Sequence, residues 1–282
     1  MKFTHDEIAD AQRTVYAAMP PTPQYAWPLL AQRLGATVWA KHENHTPAGA
    51  FKIRGGLTIV VPHGNSVEKN AAMRALGVTL VEHGDEFQTA SEHAALLAER
   101  DGLHRVPSFH RDLVRGVATA YVEFFEALKH NPPDVLFVPI GLGSGFAGAA
   151  AARAHVGVPT KLIGVVSTHA TAYRDSFIAG RALESPVSTV LADGMACRTP
   201  VPEALEVIRQ EADDVVTVSD DEVAEAMRAL FTDTHNVAEG AGAAALAAAM
   251  QQRERWRGQT VGISVTGGNV DAAMFGDVLQ RH

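Results

Sequence analysis

Short, nearly continuous apolar runs set the limits on what this chain can fold into. Val135-Leu136-Phe137-Val138, residues 162–166 and residues 261–265 are each strand-length and bounded by turn-forming residues. A strand with one wet face alternates apolar and polar residues, whereas a run apolar throughout is buried on both faces. Helical patterns separate these runs, over 113–128, from the glycine turn near Gly143 to residue 155, and over 201–211, 220–232 and 241–255. A strand over 215–218 fits the same alternation. Upstream, a helix over 4–19 stops at Pro20-Pro21, and strands over 37–41, 58–61 and 78–81 lie beside helices over 67–76 and 87–100. The pattern predicts an α/β fold of mostly parallel sheets with helices on both faces.

Composition narrows the function. Of 282 residues, 46% are hydrophobic and 20% charged, the balance of a globular protein of one large or two modest domains. A net charge of −8 and the absence of a basic run argue against nucleic acid. No stretch reaches a membrane-spanning length, and residues 1–7 carry no apolar leader core, so a cytoplasmic enzyme is expected. The single cysteine, Cys197, reads as a small buried hydrophobe rather than a nucleophile. The 13 histidines are scattered, and no metal site is read from them.

One lysine stands out. Asn44-His45-Thr46-Pro47-Ala48-Gly49-Ala50 is a polar loop that runs into Phe51-Lys52-Ile53-Arg54-Gly55-Gly56. An amine at such a junction, its stem against apolar neighbours, can act as a nucleophile towards a carbonyl. A surface lysine at the start of a helix is the plain alternative.

Two glycine motifs change that balance. Gly141-Leu142-Gly143-Ser144-Gly145 follows one apolar strand and precedes a helix, which places backbone N–H groups where they favour a phosphate, with Ser144 as an added donor. A tight turn with close helix packing would also use these glycines. The segment 143–148 matches the dinucleotide spacing GxGxxG, but the next strand ends in Ser167-Thr168-His169 without the expected acid. The third motif, Thr266-Gly267-Gly268-Asn269-Val270-Asp271, follows the last strand. Thr266 offers a hydroxyl for a ring nitrogen, and Gly267 and Gly268 would let a flat ring approach the backbone; a plain turn is the alternative.

Taken together, the motifs resemble the pyridoxal-phosphate enzymes of fold type II (tryptophan synthase β-like), nearest the serine/threonine dehydratases and serine racemase. Thr22-Pro23, Lys41-His42-Glu43-Asn44, Leu191-Ala192-Asp193-Gly194, residues 217–222 and residues 239–244 extend the resemblance over nearly the whole chain. It implies that Lys52 forms the Schiff base with pyridoxal 5'-phosphate and then shuttles the Cα proton. It implies that Gly141, Leu142, Gly143, Ser144 and Gly145 hold the phosphate, that Thr266 faces the pyridine nitrogen, and that Phe51 packs beside the ring. Glu239 matches a family glutamate near the cofactor, although a solvated acid at a helix start would look the same. Asp193 matches an aspartate linked in some members to a cation, but the carboxylate four positions earlier is Thr189 here, so no metal is expected.

The implied reaction is elimination of water and ammonia from a hydroxy amino acid, threonine or serine by default, giving a 2-oxo acid. Phenylserine or hydroxyaspartate as substrate, serine racemisation and β-replacement stay open within the fold. A nucleotide-dependent oxidoreductase and an inactive homologue that binds a phosphorylated ligand stay open outside that chemistry. The resemblance also implies a homodimer, and the eleven residues after Asp271 leave no room for an appended effector domain.

The chain departs from the family in one place. The Ser-x-Gly-Asn-His-x-Gln stretch, which holds the substrate carboxylate in family members, is missing; His63-Gly64-Asn65-Ser66 does not replace it. If Lys52 opens a helix, Thr58 begins a strand too soon afterwards, since a parallel crossover needs about a dozen residues or more. The expected organisation is a large domain of 1–53 and 113–282, and a small domain of 54–112 lacking roughly 40 residues, two βα units, between about Leu57 and Thr58.

Overall fold

The structure, a computed structural model, describes every residue except 56, 57, 62, 64–66, 76–78, 86, 104–108, 281 and 282. The apolar runs form the middle of a six-stranded sheet in the order β1-β2-β8-β5-β6-β7. Its strands are β1 (Gln24–Ala26), β2 (Thr37–His42), β5 (Val135–Pro139), β6 (Lys161–Ser167), β7 (Asp214–Val218) and β8 (Thr260–Val265). All pairings are parallel except β1 with β2. β3 (Thr58–Val61) and β4 (Thr79–Glu82) pair in parallel as a separate two-stranded sheet, with α3 (Val67–Ala75) between them and α4 (Phe87–Asp101) after β4.

Successive side chains of the buried strands feed opposite layers, as the pleat requires. Val135, Phe137, Ile163, Val165, Val216 and Ile263 join α2 (Pro28–Leu34), α9 (Asp220–Thr234) and α10 (Gly240–Gln251) in one core. Leu136, Val138, Leu162 and Val215 join α5 (Arg111–Ala127), α6 (Ser144–Val156) and α8 (Pro202–Glu211) in the other. α1 (His5–Ala18) packs outside α5 through Ile8. Reciprocal capping boxes start α1, with Thr4 and Glu7, and α9, with Ser219 and Glu222.

Several elements depart from expectation. Lys52 sits in a 3-10 turn, Phe51–Gly55, rather than at the start of a helix. β3 belongs to the small sheet, so the chain leaves the large sheet after this turn and needs no crossover within it. The Leu57–Thr58 junction and residues 64–66 fall outside the described residues. β1, α2, α7 (Ala172–Ala179) and α11 (Ala272–Gln280) are short elements that the sequence reading did not mark. The alanine-rich helix stops at Gln251, ahead of the charged 252–257 segment.

α5 lies directly on the turn that carries Lys52. A Cβ placed on Gly116 would sit 2.3 Å from the Arg54 carbonyl oxygen, a backbone atom that cannot swing away. Gly116→Ala gains about 1 kcal/mol of helix propensity, yet it must push α5 off the turn. A net loss of about 1–3 kcal/mol is expected by urea denaturation, in line with overpacking of a close contact.

Candidate active site

β2, β8 and β5 are neighbours in the sheet, so their C-terminal ends share one edge, where ligands of open α/β sheets gather. The Lys52 loop leaves β2, the Thr266 motif leaves β8, and the Gly141 motif leaves β5. Segments that lie far apart in the chain are thereby brought together.

The Lys52 segment is joined to the β8 loop through the backbone. The Phe51 N–H donates to the Thr266 carbonyl at 3.0 Å, and the Gly268 N–H donates to the Gly49 carbonyl at 2.9 Å. Ala50 and Gly267 form an antiparallel bridge between these bonds. Asn269 donates from Nδ2 to the Ala48 carbonyl at 2.7 Å. Glu239, at the start of α10, donates its N–H to the Gly267 carbonyl at 3.1 Å. A Cβ on Gly242 would lie 2.3 Å from that carbonyl, which explains the need for glycine there. Thr266 is buried and Glu239 is half-buried.

The glycine turn meets Lys52's neighbour. The Phe51 ring lies 3.6 Å from where a Gly145 Cβ would stand. Gly143 adopts φ 97° ahead of α6, a left-handed conformation suited to glycine. Among the described residues no protein acceptor takes the N–H groups of Gly141, Leu142, Gly143, Ser144 or Gly145. A turn of unused donors at a helix start beside a lysine can hold a phosphorylated ring cofactor. Lys52 itself is exposed, its amine 6.0 Å from the Phe51 ring centroid rather than packed into an apolar wall.

Beneath the turn lies a buried charge cluster that the sequence reading did not assemble. Arg54 donates from Nε and Nη2 to Glu43 at 2.8 and 3.0 Å, and from Nη1 to Glu123 at 2.9 Å and Thr119 at 2.7 Å. Lys41 donates to the Glu123 carboxylate at 2.6 Å and to the Thr22 carbonyl at 2.7 Å. Burial pushes the Glu123 carboxyl up, but Lys41 and Arg54 outweigh it and hold the group below its usual range. Burial also lowers the Lys41 amine, against the pull of Glu123 and Glu43. Charged residues beside apolar ones in 38–43 were the only local signal of this cluster.

His42 anchors a second polar chain. Trp27 donates to its Nε2 at 3.0 Å, which leaves Nδ1 to donate to Asn44 at 3.3 Å. Asn44 reaches the Val237 carbonyl at 3.1 Å, and His45 reaches Asn236, so the end of β2 is tied to the segment before Glu239. Elsewhere, the Thr189 hydroxyl donates to Asp220 at 3.0 Å and the Gly194 N–H donates to Asp193 at 2.7 Å. Cys197 is buried, and burial pushes its thiol up to about 11.

A family model described as pyridoxal-phosphate dependent enzyme matches residues 56–267. The chain belongs to this family. The family's cofactor is pyridoxal phosphate, which suits the exposed lysine and the unused N–H groups described above. The matched span begins just after Lys52.

An L-threo-3-hydroxyaspartate ammonia-lyase of a Pseudomonas species is 30% identical, with 98% of each chain covered. An L-threonine ammonia-lyase of Thermotoga maritima is 28% identical over 99% of this chain and 79% of its own. The solved structure of maize serine racemase superposes with a TM-score of 0.87 at 22% identity, covering 96% of this chain and 95% of that one, and so supports the fold. The Pseudomonas alignment runs over 315 positions against a chain of 282, so at least 33 positions face no residue here. Among the described residues no helix is long and apolar enough to cross a membrane.

Two outcomes are expected for the buried groups. Glu123→Gln leaves Lys41 and Arg54 short of a counter-charge and should cost about 3–5 kcal/mol in urea denaturation. Burial holds His42 down at about 4, below the roughly 6.5 of an unfolded histidine. Protons therefore bind the unfolded chain first, and the stability present above pH ~6.5 is lost as pH falls towards ~4. Between pH 7 and pH 5 the wild type should lose about 2 kcal/mol more than His42→Gln.

Proposed function

We propose that this protein is a pyridoxal-phosphate-dependent ammonia-lyase that removes water and ammonia from a hydroxy amino acid. The observation that carries the proposal is the joining of Ala50-Phe51 to Thr266–Gly268, with the Phe51 ring against the Gly141–Gly145 turn and the exposed Lys52 next in the chain. When bound, the cofactor supplies an electron sink for the bond broken at the substrate Cα. Lys52 is the residue that anchors the cofactor and moves the Cα proton. The N–H groups of Gly141 to Gly145, with the Ser144 hydroxyl, hold the phosphate. Thr266 offers the ring nitrogen a neutral hydroxyl, Gly267 lets the ring lie close to the backbone, Phe51 packs beside it, and Glu239 borders it.

In the overall reaction the Cα proton and the β-hydroxyl leave as water, and hydrolysis of the product returns one water and releases ammonia, giving a 2-oxo acid. Threonine or serine is the default substrate. Names such as L-threonine ammonia-lyase and L-threo-3-hydroxyaspartate ammonia-lyase among the relatives support this reaction class. The reading includes a cytoplasmic homodimer, supported by the family resemblance. It also includes a large domain of 1–53 and 113–282 with a small domain of 54–112 shortened near 57–58. The positions of the Pseudomonas alignment that face no residue support the shortening, and the separate β3-β4 sheet supports the division.

The test is release of 2-oxo acid from threonine, serine, phenylserine and 3-hydroxyaspartate, without added nicotinamide nucleotide. Release from at least one is expected. In Lys52→Ala that release should fall by about a hundredfold or more, together with the visible absorbance of the bound cofactor. A wild-type protein that binds the cofactor and releases nothing from all four would defeat the proposal.

A further inference from the structure

We propose that Tyr173 is a positioning residue that fixes the Leu142–Gly143 peptide and so sets how tightly the glycine turn grips a phosphate. The inference rests on reading Gly141 to Gly145 as the phosphate site. Tyr173, on α7, is 1% exposed and among the largest fully buried side chains. Its hydroxyl donates to the Leu142 carbonyl at 3.0 Å and accepts from the Val201 N–H, also at 3.0 Å. A phenol has one proton to give. Because Val201 already supplies a proton to the oxygen, the phenol's own proton is left for Leu142. Burial pushes the ionisation of this hydroxyl upward, so it stays a neutral donor.

The consequence lies on the other side of the peptide. A trans peptide is planar, with its C=O and N–H pointing in opposite directions. Holding the Leu142 carbonyl towards Tyr173 therefore turns the Gly143 N–H away from Tyr173, and among the described residues that N–H has no protein acceptor. The turn has little room to readjust. Gly143 has φ 97°, and a Cβ there would lie 2.7 Å from the Ala204 side chain on α8. The same α8 follows Val201, so one short segment both closes over the turn and orients the phenol.

The prediction separates phosphate from the rest of the cofactor. Cofactor-free protein is titrated with pyridoxal 5'-phosphate and with pyridoxal, which lacks the phosphate, following absorbance. In Tyr173→Phe the Kd for pyridoxal 5'-phosphate should rise about three- to tenfold, the factor for one neutral hydrogen bond, while the Kd for pyridoxal stays within about twofold. Val201→Pro is the second variant. Val201 already has φ −69°, which proline adopts, and the substitution removes the N–H that orients the phenol while keeping an apolar side chain beside the core. It should give a smaller loss, again confined to the phosphate ester.

An equal loss for both ligands, or no loss in either variant, would overturn the proposal. If Tyr173→Phe does not fold, Val201→Pro decides by the same comparison. A wild-type protein that binds pyridoxal as tightly as pyridoxal 5'-phosphate would defeat the phosphate reading of the glycine turn, and the proposal with it.

Discussion

The Arg54 guanidinium lies between the carboxylates of Glu43 and Glu123, two residues beyond Lys52 in the chain. Burying a charge costs several kcal/mol unless it is paired and hydrogen-bonded, so these groups hold one another in a single arrangement. Lys41 completes the balance of two cations and two anions, and Thr22 and Thr119 take up remaining donors and acceptors. The cluster fastens the Lys52 turn to β2, to α5 and to the segment before β1. From the other side, the Phe51–Thr266 and Gly268–Gly49 bonds fasten the same turn to β8. A lysine side chain left exposed is thus carried on a backbone held from two directions.

Close backbone approach is the second requirement. Gly116 admits the Arg54 carbonyl against α5, and Gly242 admits the Gly267 carbonyl against α10. Each of these contacts puts a helix directly on a loop of the site, with no side chain between. The loops also start from adjacent strands, and the order β2-β8-β5 is what places a lysine near the N-terminus beside a motif that begins at residue 266. The polar chain from Trp27 through His42 and Asn44 to Val237 braces the same edge.

The smaller β3-β4 sheet contrasts with this frame. Two parallel strands and their helices bury less than the six-stranded sheet, and sheets of two strands depend on their surroundings for stability. The family stretch that holds the substrate carboxylate has no counterpart in the sequence. The division of labour proposed here therefore puts cofactor binding on the large, doubly covered sheet.

Much was legible in the residues themselves. Apolar runs of strand length located β2, β5, β6, β7 and β8, because a strand buried on both faces has no polar alternation to confuse it. The glycine motifs and Lys52 were legible because each combines a turn requirement with a donor or an amine. β1, α2, α7 and α11 were not, since elements of three to nine residues offer too few positions for a pattern to stand out. The partners of Arg54 and the two hydrogen bonds of Tyr173 were equally hidden. Glu43 and Glu123 lie 80 residues apart in the chain, Tyr173 and Leu142 lie 31 apart, and no local pattern links either pair. The sequence alone determined which stretches must be buried and which motifs stand in turns after strands. Only the tertiary structure decided which of them meet, because that depends on strand order and on long-range pairing of buried polar groups, neither of which has a local signature.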